Sequence, residues 1–332
     1  MSGNNRNNDA SPANSKAAEP APVKAPVLFA CWPGMGHVGI LAAEYMRVIL
    51  NGQMLTELDV APYFLPDAIT VENGIGRIPD PPAQRLYYIP NPPFFIFEGE
   101  TQLSGEPGIR IGLELLKLAK RHGVTTVYTG AAYAMPMSHR QTPKVYGVAT
   151  DERLKNTFAD LGVEPLEEGR ISGLNGLLLG LARARGLSAA CFLATMPQYA
   201  VETPNPKASK AIIKVLERIL GANVDMTELD RRIHEADQFM GEFESRVAAA
   251  IESLRRETEN KLREHKPEQE EETESEERPE PHELMAHIEE LFEEVQHDRS
   301  KAALLKQELD RWGLFELYED RFLDLFTRDR NR

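Results

Sequence analysis

Trp32-Pro33-Gly34-Met35-Gly36-His37-Val38-Gly39 follows a short apolar run and precedes a helical one, and its glycines spell G-x-G-x-x-G. In that setting a glycine-rich turn brings the backbone N–H groups of a helix N-terminus against an anion. An acid about twenty residues on, here Glu57 or Asp59, can then hold a ribose hydroxyl. The chemistry would be dinucleotide binding. Two features argue against it. The segment before Glu57 (Asn51 to Thr56) is a poor second strand, and the segment after Asp59 is Pro-rich where such a unit needs a helix. The glycines Gly34, Gly36 and Gly39 then read as turn and close-packing residues.

A second chemistry is acid–base catalysis. Four segments fall at the carboxyl ends of strand-like runs, 32–39, 98–102, 133–139 and 195–199, and they carry His37, Glu98, Glu100, Gln102, His139 and Gln198. A histidine within hydrogen-bond reach of a carboxylate could move protons there. The plainer reading makes His37 a helix-start residue held by local hydrogen bonds, and Glu100 and Gln102 residues of a subunit interface. Other chemistries lack their motifs. The sequence has no G-x-S-x-G nucleophile elbow and no phosphate loop, and Ser172-Gly173 lacks an identifiable His/Asp partnership. Five of the eight histidines lie beyond residue 226 without ligand spacing, so no metal and no cofactor is expected.

These loops need a scaffold, and the chain alternates short β-type runs with helical ones from Pro26 to Asp225. Strands are predicted at 27–31, 85–89, 94–97, 125–129, 144–149 and 189–194. Helices are predicted at 38–50, 107–122, 152–161, 174–185 and 207–220. Such alternation implies a largely parallel sheet covered on both faces. The Pro-rich stretch 61–93 interrupts the rhythm and is expected to hold irregular loops or an antiparallel edge. Cys31 and Cys191, the only cysteines, sit in apolar runs and read as buried reduced thiols of a reducing cytoplasm. No window approaches the ~18 uncharged apolar residues needed to span a membrane. Residues 1–25, rich in Asn, Ala and Pro, are expected to be a disordered leader.

Beyond Asp225 the pattern changes. Apolar residues recur at Leu229, Ile233, Ala236, Met240, Phe243, Val247, Ala250 and Leu254, and again at Leu284, Ile288, Leu291 and Val295, in steps of four and three. A polar break falls at Asp298. Residues 226–264 thus read as a heptad helix, 265–282 as an acidic disordered linker and 283–332 as a helical tail. Either the helices pair with each other, within or between subunits, or they dock on the body. All of the formal charge of -14 lies in 226–332. That argues against nucleic acid as a partner and suggests solubilisation or attraction to a basic protein surface.

The motifs Trp32 to Gly39, Gly99-Glu100-Thr101-Gln102, Val127 to Ala132, Pro143 to Thr150, Gly169 to Gly180 and Leu193 to Tyr199 together resemble the proteasome assembly chaperone family over roughly 26–225. His37 departs from the family's usual polar residue at that position, often Asn. The resemblance implies a three-layer α/β/α sandwich with a mostly parallel sheet, similar to nucleoside phosphorylases and related hydrolases, here with a C-terminal helical, coiled-coil-like extension. It also implies a cytoplasmic homo-oligomer, such as a trimer, with proteasome-like protein partners. Some archaeal relatives dock through a terminal hydrophobic-Tyr-any motif. Arg330-Asn331-Arg332 does not match that motif, and Leu317-Tyr318-Glu319 matches it only internally. The leading expectation is a non-catalytic assembly protein, and the alternative a small-molecule (nucleotide-like) binder or a hydrolase- or ligase-type enzyme. Trp32, Gly34, Met35, Gly36, His37, Gly39, Glu98, Glu100, Gln102, Ser172, Asn175 and Gln198 are the candidate ligand or interface residues, with none assigned to catalysis.

Overall fold

In a computed structural model the described residues are 25–64, 66, 68–264 and 280–327. The expected leader, except Ala25, and the expected acidic linker, except its last three residues, lie outside them.

The apolar run Val27–Cys31 forms β1, and strand alternation sends Leu28, Ala30 and Trp32 to one face and Phe29 and Cys31 to the other. The elements that follow are α1 (Val38–Ile49), β2 (Gln53–Glu57), β3 (Thr70–Glu72), β4 (Ile75–Arg77), β5 (Gln84–Pro90), β6 (Pro93–Gly99), α2 (Gly105–Arg121), β7 (Thr126–Met135) and β8 (Val145–Ala149). After two short helices, α3 (Glu152–Lys155) and α4 (Phe158–Leu161), come β9 (Glu164–Pro165), α5 (Gly173–Ala184), β10 (Ser188–Pro197) and α6 (Pro206–Leu220). All six predicted strands form. The single helix expected over 152–161 is instead two. Thr157 Oγ1 donates to the Leu154 carbonyl at 2.7 Å, a local bond that competes with helix continuation.

Eight strands make one mixed sheet in the order β2-β5-β6-β1-β7-β10-β8-β9. Its centre, β6-β1-β7-β10, is parallel; β2 and β5 run antiparallel to their neighbours at one side, and at the other β8 runs antiparallel to β10 but parallel to β9. One core lies under α1 and α6, with Phe29, Tyr128 and Phe192; the other lies under α2 and α5, with Trp32, Phe95 and Leu178. The result is three layers, α/β/α. Both thiols are free and fully buried, and burial pushes them up, Cys191 to about 12, so they stay protonated.

The tail begins with α7 (Thr227–Glu264), then α8 (Pro281–His297), α9 (Ala302–Arg311) and α10 (Phe315–Thr327). The seam of α7 is used twice. Leu229 and Val247 are buried in the core shared with α1 and α6, while Phe243 meets Tyr318 of α10 edge-on at 5.7 Å. The tail therefore packs on itself and on the body together. The chain breaks at Asp298 as its polarity predicts, with Oδ1 accepting the backbone N–H and the hydroxyl of Ser300. Leu317-Tyr318-Glu319 is not a surface motif, because Tyr318 is buried in this packing. No helix among the described residues is long and apolar enough to cross a membrane.

Candidate functional site

The loop after β1 is fixed by side chains from three other segments. Trp32 is fully buried; its backbone N–H donates to Asn175 Oδ1 at 2.9 Å, and Asn175 Nδ2 donates back to the Trp32 carbonyl at 3.0 Å. The Asn175 carbonyl in turn accepts from Thr129 Oγ1 at 2.7 Å. The indole N–H of Trp32 donates to Gln84 Oε1 at 2.9 Å. Gln102 clamps the next residue, donating from Nε2 to the Pro33 carbonyl while Oε1 accepts the Leu174 N–H at the start of α5. Asn175→Ala strands both backbone groups of Trp32 in a dry core. A loss of about 1–2 kcal/mol in urea unfolding is expected, with an unchanged m-value.

The glycines do steric work. Gly36 has φ +56°, and a Cβ there would strike Met196; its N–H donates to the Val201 carbonyl at 2.7 Å. Gly39 packs α1 against Gly130 of β7. His37 has φ +50° and stands exposed at the mouth of α1.

The expected residues divide between two clefts on either side of this loop. One, of about 370 Å³, is lined by His37, Glu98 and Glu100 together with Glu44, Arg47 and Arg85. Its acids already have structural partners. Glu98 Oε1 accepts from Arg47 Nε at 2.6 Å, and Glu100 Oε2 accepts the Ala83 N–H at 2.7 Å. Burial pushes the Glu98 carboxyl above its usual range, and Arg47 only partly offsets this. The other cleft, of about 330 Å³, is lined by Gly34, Met35, Gly39, Gln102, Ser172 and Asn175, with Tyr133 and Arg170. Trp32 and Gly36 are buried and line neither cleft, and Gln198 joins neither. Its Nε2 donates to Glu290 of α8 at 3.4 Å, which places it at the seam between body and tail.

Glu57, the acid that a dinucleotide site would need, sits on β2, three strands from β1 along the sheet, and pairs with Arg85 at 2.9 Å. The segment before it is a strand after all, but an antiparallel edge one. The G-x-G-x-x-G spacing is therefore met without a Rossmann unit. Among the described residues no three His, Cys, Asp or Glu side chains come together as metal ligands.

One constellation had no short-range signal. Glu244 of α7 reaches the body and accepts from Tyr199 Oη at 2.8 Å, Ser138 Oγ at 3.1 Å and, at 2.9 Å, His139 Nδ1, with Arg140 at 3.8 Å. Lys207 stands beside it, bound to the His139 carbonyl and to Asp237 of α7, each at 2.6 Å. A Cβ on Gly241 would lie 3.8 Å from His139 Nε2, so the far side of the ring faces helix backbone. This His–carboxylate pair is a clasp between body and tail, closed to a substrate.

The clasp sets a pH dependence. Burial raises the Glu244 carboxyl, but the hydrogen bonds from Tyr199, His139 and Ser138 outweigh it and hold the group below its usual range. A depressed carboxyl stabilises the fold above its unfolded pKa of about 4.3 and loses that contribution as pH falls through the folded value. Thermal melts between about pH 5 and pH 3 should therefore fall more steeply for the wild type than for Glu244→Gln. Parallel slopes would show that the clasp does not titrate.

Three comparisons bear on this arrangement. Residues 28–244 match the model of the PAC2 family. An uncharacterised protein of Methanocaldococcus jannaschii is 28% identical over 228 residues, 68% of this chain and 85% of that one. Among solved structures, PbaB of Pyrococcus furiosus, described as an archaeal proteasome activator, is similar with a TM-score of 0.58 and 26% identity over 68% of this chain and 96% of that one. A proteasome-assembly chaperone homologue of Mycobacterium tuberculosis shares the fold, with a TM-score of 0.56 and 21% identity over 66% of this chain and 94% of that one.

Proposed function

The chain belongs to the PAC2 family, and from that premise we propose that it is a non-catalytic, assembly-chaperone-like protein. In this reading a cytoplasmic, homo-oligomeric α/β body offers acidic helical arms to proteasome-related protein subunits. The observation that carries it is the likeness to the archaeal proteasome activator, which spans nearly the whole of that chain. Two features of the site support it. Several of the polar groups that could act on a substrate hold the fold instead, as in Trp32–Asn175 and Arg47–Glu98, and the His139–Glu244 pair is buried under α7. The concentration of negative charge beyond residue 226 supports a protein partner with a basic face.

Within this reading the chain divides into an α/β body (26–225), a heptad helix (226–264) and a helical tail (283–332). Cutting at Asp225 should leave a folded body that no longer captures its partner. Because Leu229 and Val247 then leave the core, the shortened body should melt below the full chain.

The deciding experiment is native mass spectrometry of the full chain affinity-purified gently from its own cells. Proteasome-related subunits in defined stoichiometry would support the reading; a homo-oligomer arriving alone with a bound metabolite would overturn it. A second reading, small-molecule binding, draws on the meeting of His37, Glu98 and Glu100 in one cleft. It requires a ligand or activity that Glu100→Gln removes with the fold intact.

A further inference from the structure

The acids of α7 that face the body repeat once per heptad, and each already has a donor or cation there. Asp230 pairs with Lys210 of α6, and seven residues on Asp237 pairs with Lys207 at 2.6 Å. After seven more, Glu244 takes hydrogen bonds from Tyr199, Ser138 and His139, with Arg140 at 3.8 Å. A spacing of seven puts all three carboxylates on one side of a helix. Apolar packing contributes less along the same stretch: Leu229 and Val247 are buried, but no residue of 230–246 is. Nor do tail and body close fully on each other. A cavity of about 30 Å³ lies between Ile233 and Met240 of α7 and the body residues Met137, Thr195 and Ala200. A cleft of about 480 Å³ lies between Val201 and Thr203 of the body and Phe292 and Arg321 of the tail. Close-packed interiors leave few such gaps. The start of α7 is pinned differently: Tyr45 Oη donates to the Asp225 carbonyl at 2.7 Å and accepts the Leu229 N–H at 3.2 Å.

We propose that α7 is an electrostatic strap. Asp230, Asp237 and Glu244 lock the tail against the body of their own chain, and a basic partner reaches these acids only when the strap pivots open about its Tyr45 end. The inference rests on the reading above that acidic arms capture a basic partner, and it adds the control on that capture. One set of carboxylates cannot serve Lys207, Lys210 and Arg140 of the body and the bases of a partner at once, so the two contacts exclude each other. Half-exposed ion pairs suit such a device, because each contributes little and salt weakens it. The side chains of Lys207 and Asp237 are 22% and 38% exposed.

The test places one reporter thiol beneath the strap in the full chain. Ala200→Cys sits at a buried position beside the cavity, and the native Cys31 and Cys191 are fully buried and silent. Its labelling by a thiol reagent reads the open fraction. Lys207→Glu sets a second carboxylate against Asp237 and should speed labelling about tenfold. Adding Asp237→Lys restores a pair of opposite charges and should return the original rate. In the chain carrying the reporter alone, raising salt from about 50 to about 500 mM should speed labelling, and so should a lysine-rich peptide used as the basic probe. No change with Lys207→Glu, or no recovery in the charge-reversed pair, overturns the lock. A peptide that fails to bind, or binds without speeding labelling, overturns the exclusion between the two contacts. Labelling of Cys31 and Cys191 at the same raised rate overturns the strap in favour of a general loosening of the fold. Purified chain that carries no proteasome-related subunit counts against the proposed function alone, and the labelling rates still decide the strap.

Discussion

Gly39→Ala is expected to cost about 3 kcal/mol or more and to send most of the protein into the insoluble fraction at 37 °C. The physical reason is local. A Cβ at position 39 would lie 2.1 Å from the Gly130 carbonyl oxygen and 2.6 Å from its carbon. Both are backbone atoms of β7, which is hydrogen-bonded between β1 and β10 at the centre of the sheet. Neither can swing aside as a side chain could, so α1 must lift off the sheet and carry Val38, Ala42 and Met46 with it. Gly34→Ala is the control. A Cβ there meets nothing closer than 3.9 Å, and a change under about 0.5 kcal/mol is expected. Equal effects at the two positions would show that the contact with Gly130 does not set the cost. The measurement is chemical denaturation of each soluble variant beside the soluble yield of Gly39→Ala.

The second large effect lies in the tail. Glu289 of α8 is buried, with both carboxylate oxygens taken by the Arg321 guanidinium of α10, which also lies over the Phe292 ring at 4.5 Å. Burial pushes the Glu289 carboxyl up, and Arg321 opposes the rise. Arg321→Met would leave that carboxylate without its counter-ion. Breaking a fully buried pair costs about 3–5 kcal/mol; here the Arg321 side chain is 37% exposed, so water screens part of it and about 2–3 kcal/mol is expected. A carboxyl raised in the folded state regains stability as pH falls through its folded pKa. The variant's deficit should therefore shrink from pH 8 toward pH 5. Replacing Glu289 by Leu as well should recover most of the loss, since apolar neighbours replace a buried pair at little cost. Hydrogen exchange of α8 and α10 reads the effect where it arises. A deficit that ignores pH, or a double variant no better than the single, would show that the pair does not carry this packing.

How far these features could be read in advance varied with the range of the interaction behind them. All six strand runs that the periodicity suggested do form, because each is short, apolar and bounded by turn residues. β2 lacks that signature: Gln53 to Glu57 is an exposed edge with no buried face to impose alternation. The hairpin β3–β4 was hidden in a Pro-rich stretch for a similar reason, since its apolar face has no core to match. Trp32, Gln102 and Asn175 were all among the candidate residues, but the hydrogen bonds of Trp32 to Asn175 and of Gln102 to Pro33 and Leu174 span 143, 69 and 72 positions. Spacing along the chain cannot report a contact of that kind.

The amino-acid sequence was enough to specify the alternating α/β body and the acidic helical tail with its break at Asp298. Those properties follow from local composition and periodicity, which act within a few turns or a strand. The folded chain was needed to show that most of the candidate residues separate into two clefts and that Gly39 answers to Gly130. It also decided that α7 is clasped to the body through Glu244, because the heptad seam states that a helix needs an apolar partner but not which one. Burial and hydrogen bonding across the fold choose that partner, and they couple residues that are neighbours only in space.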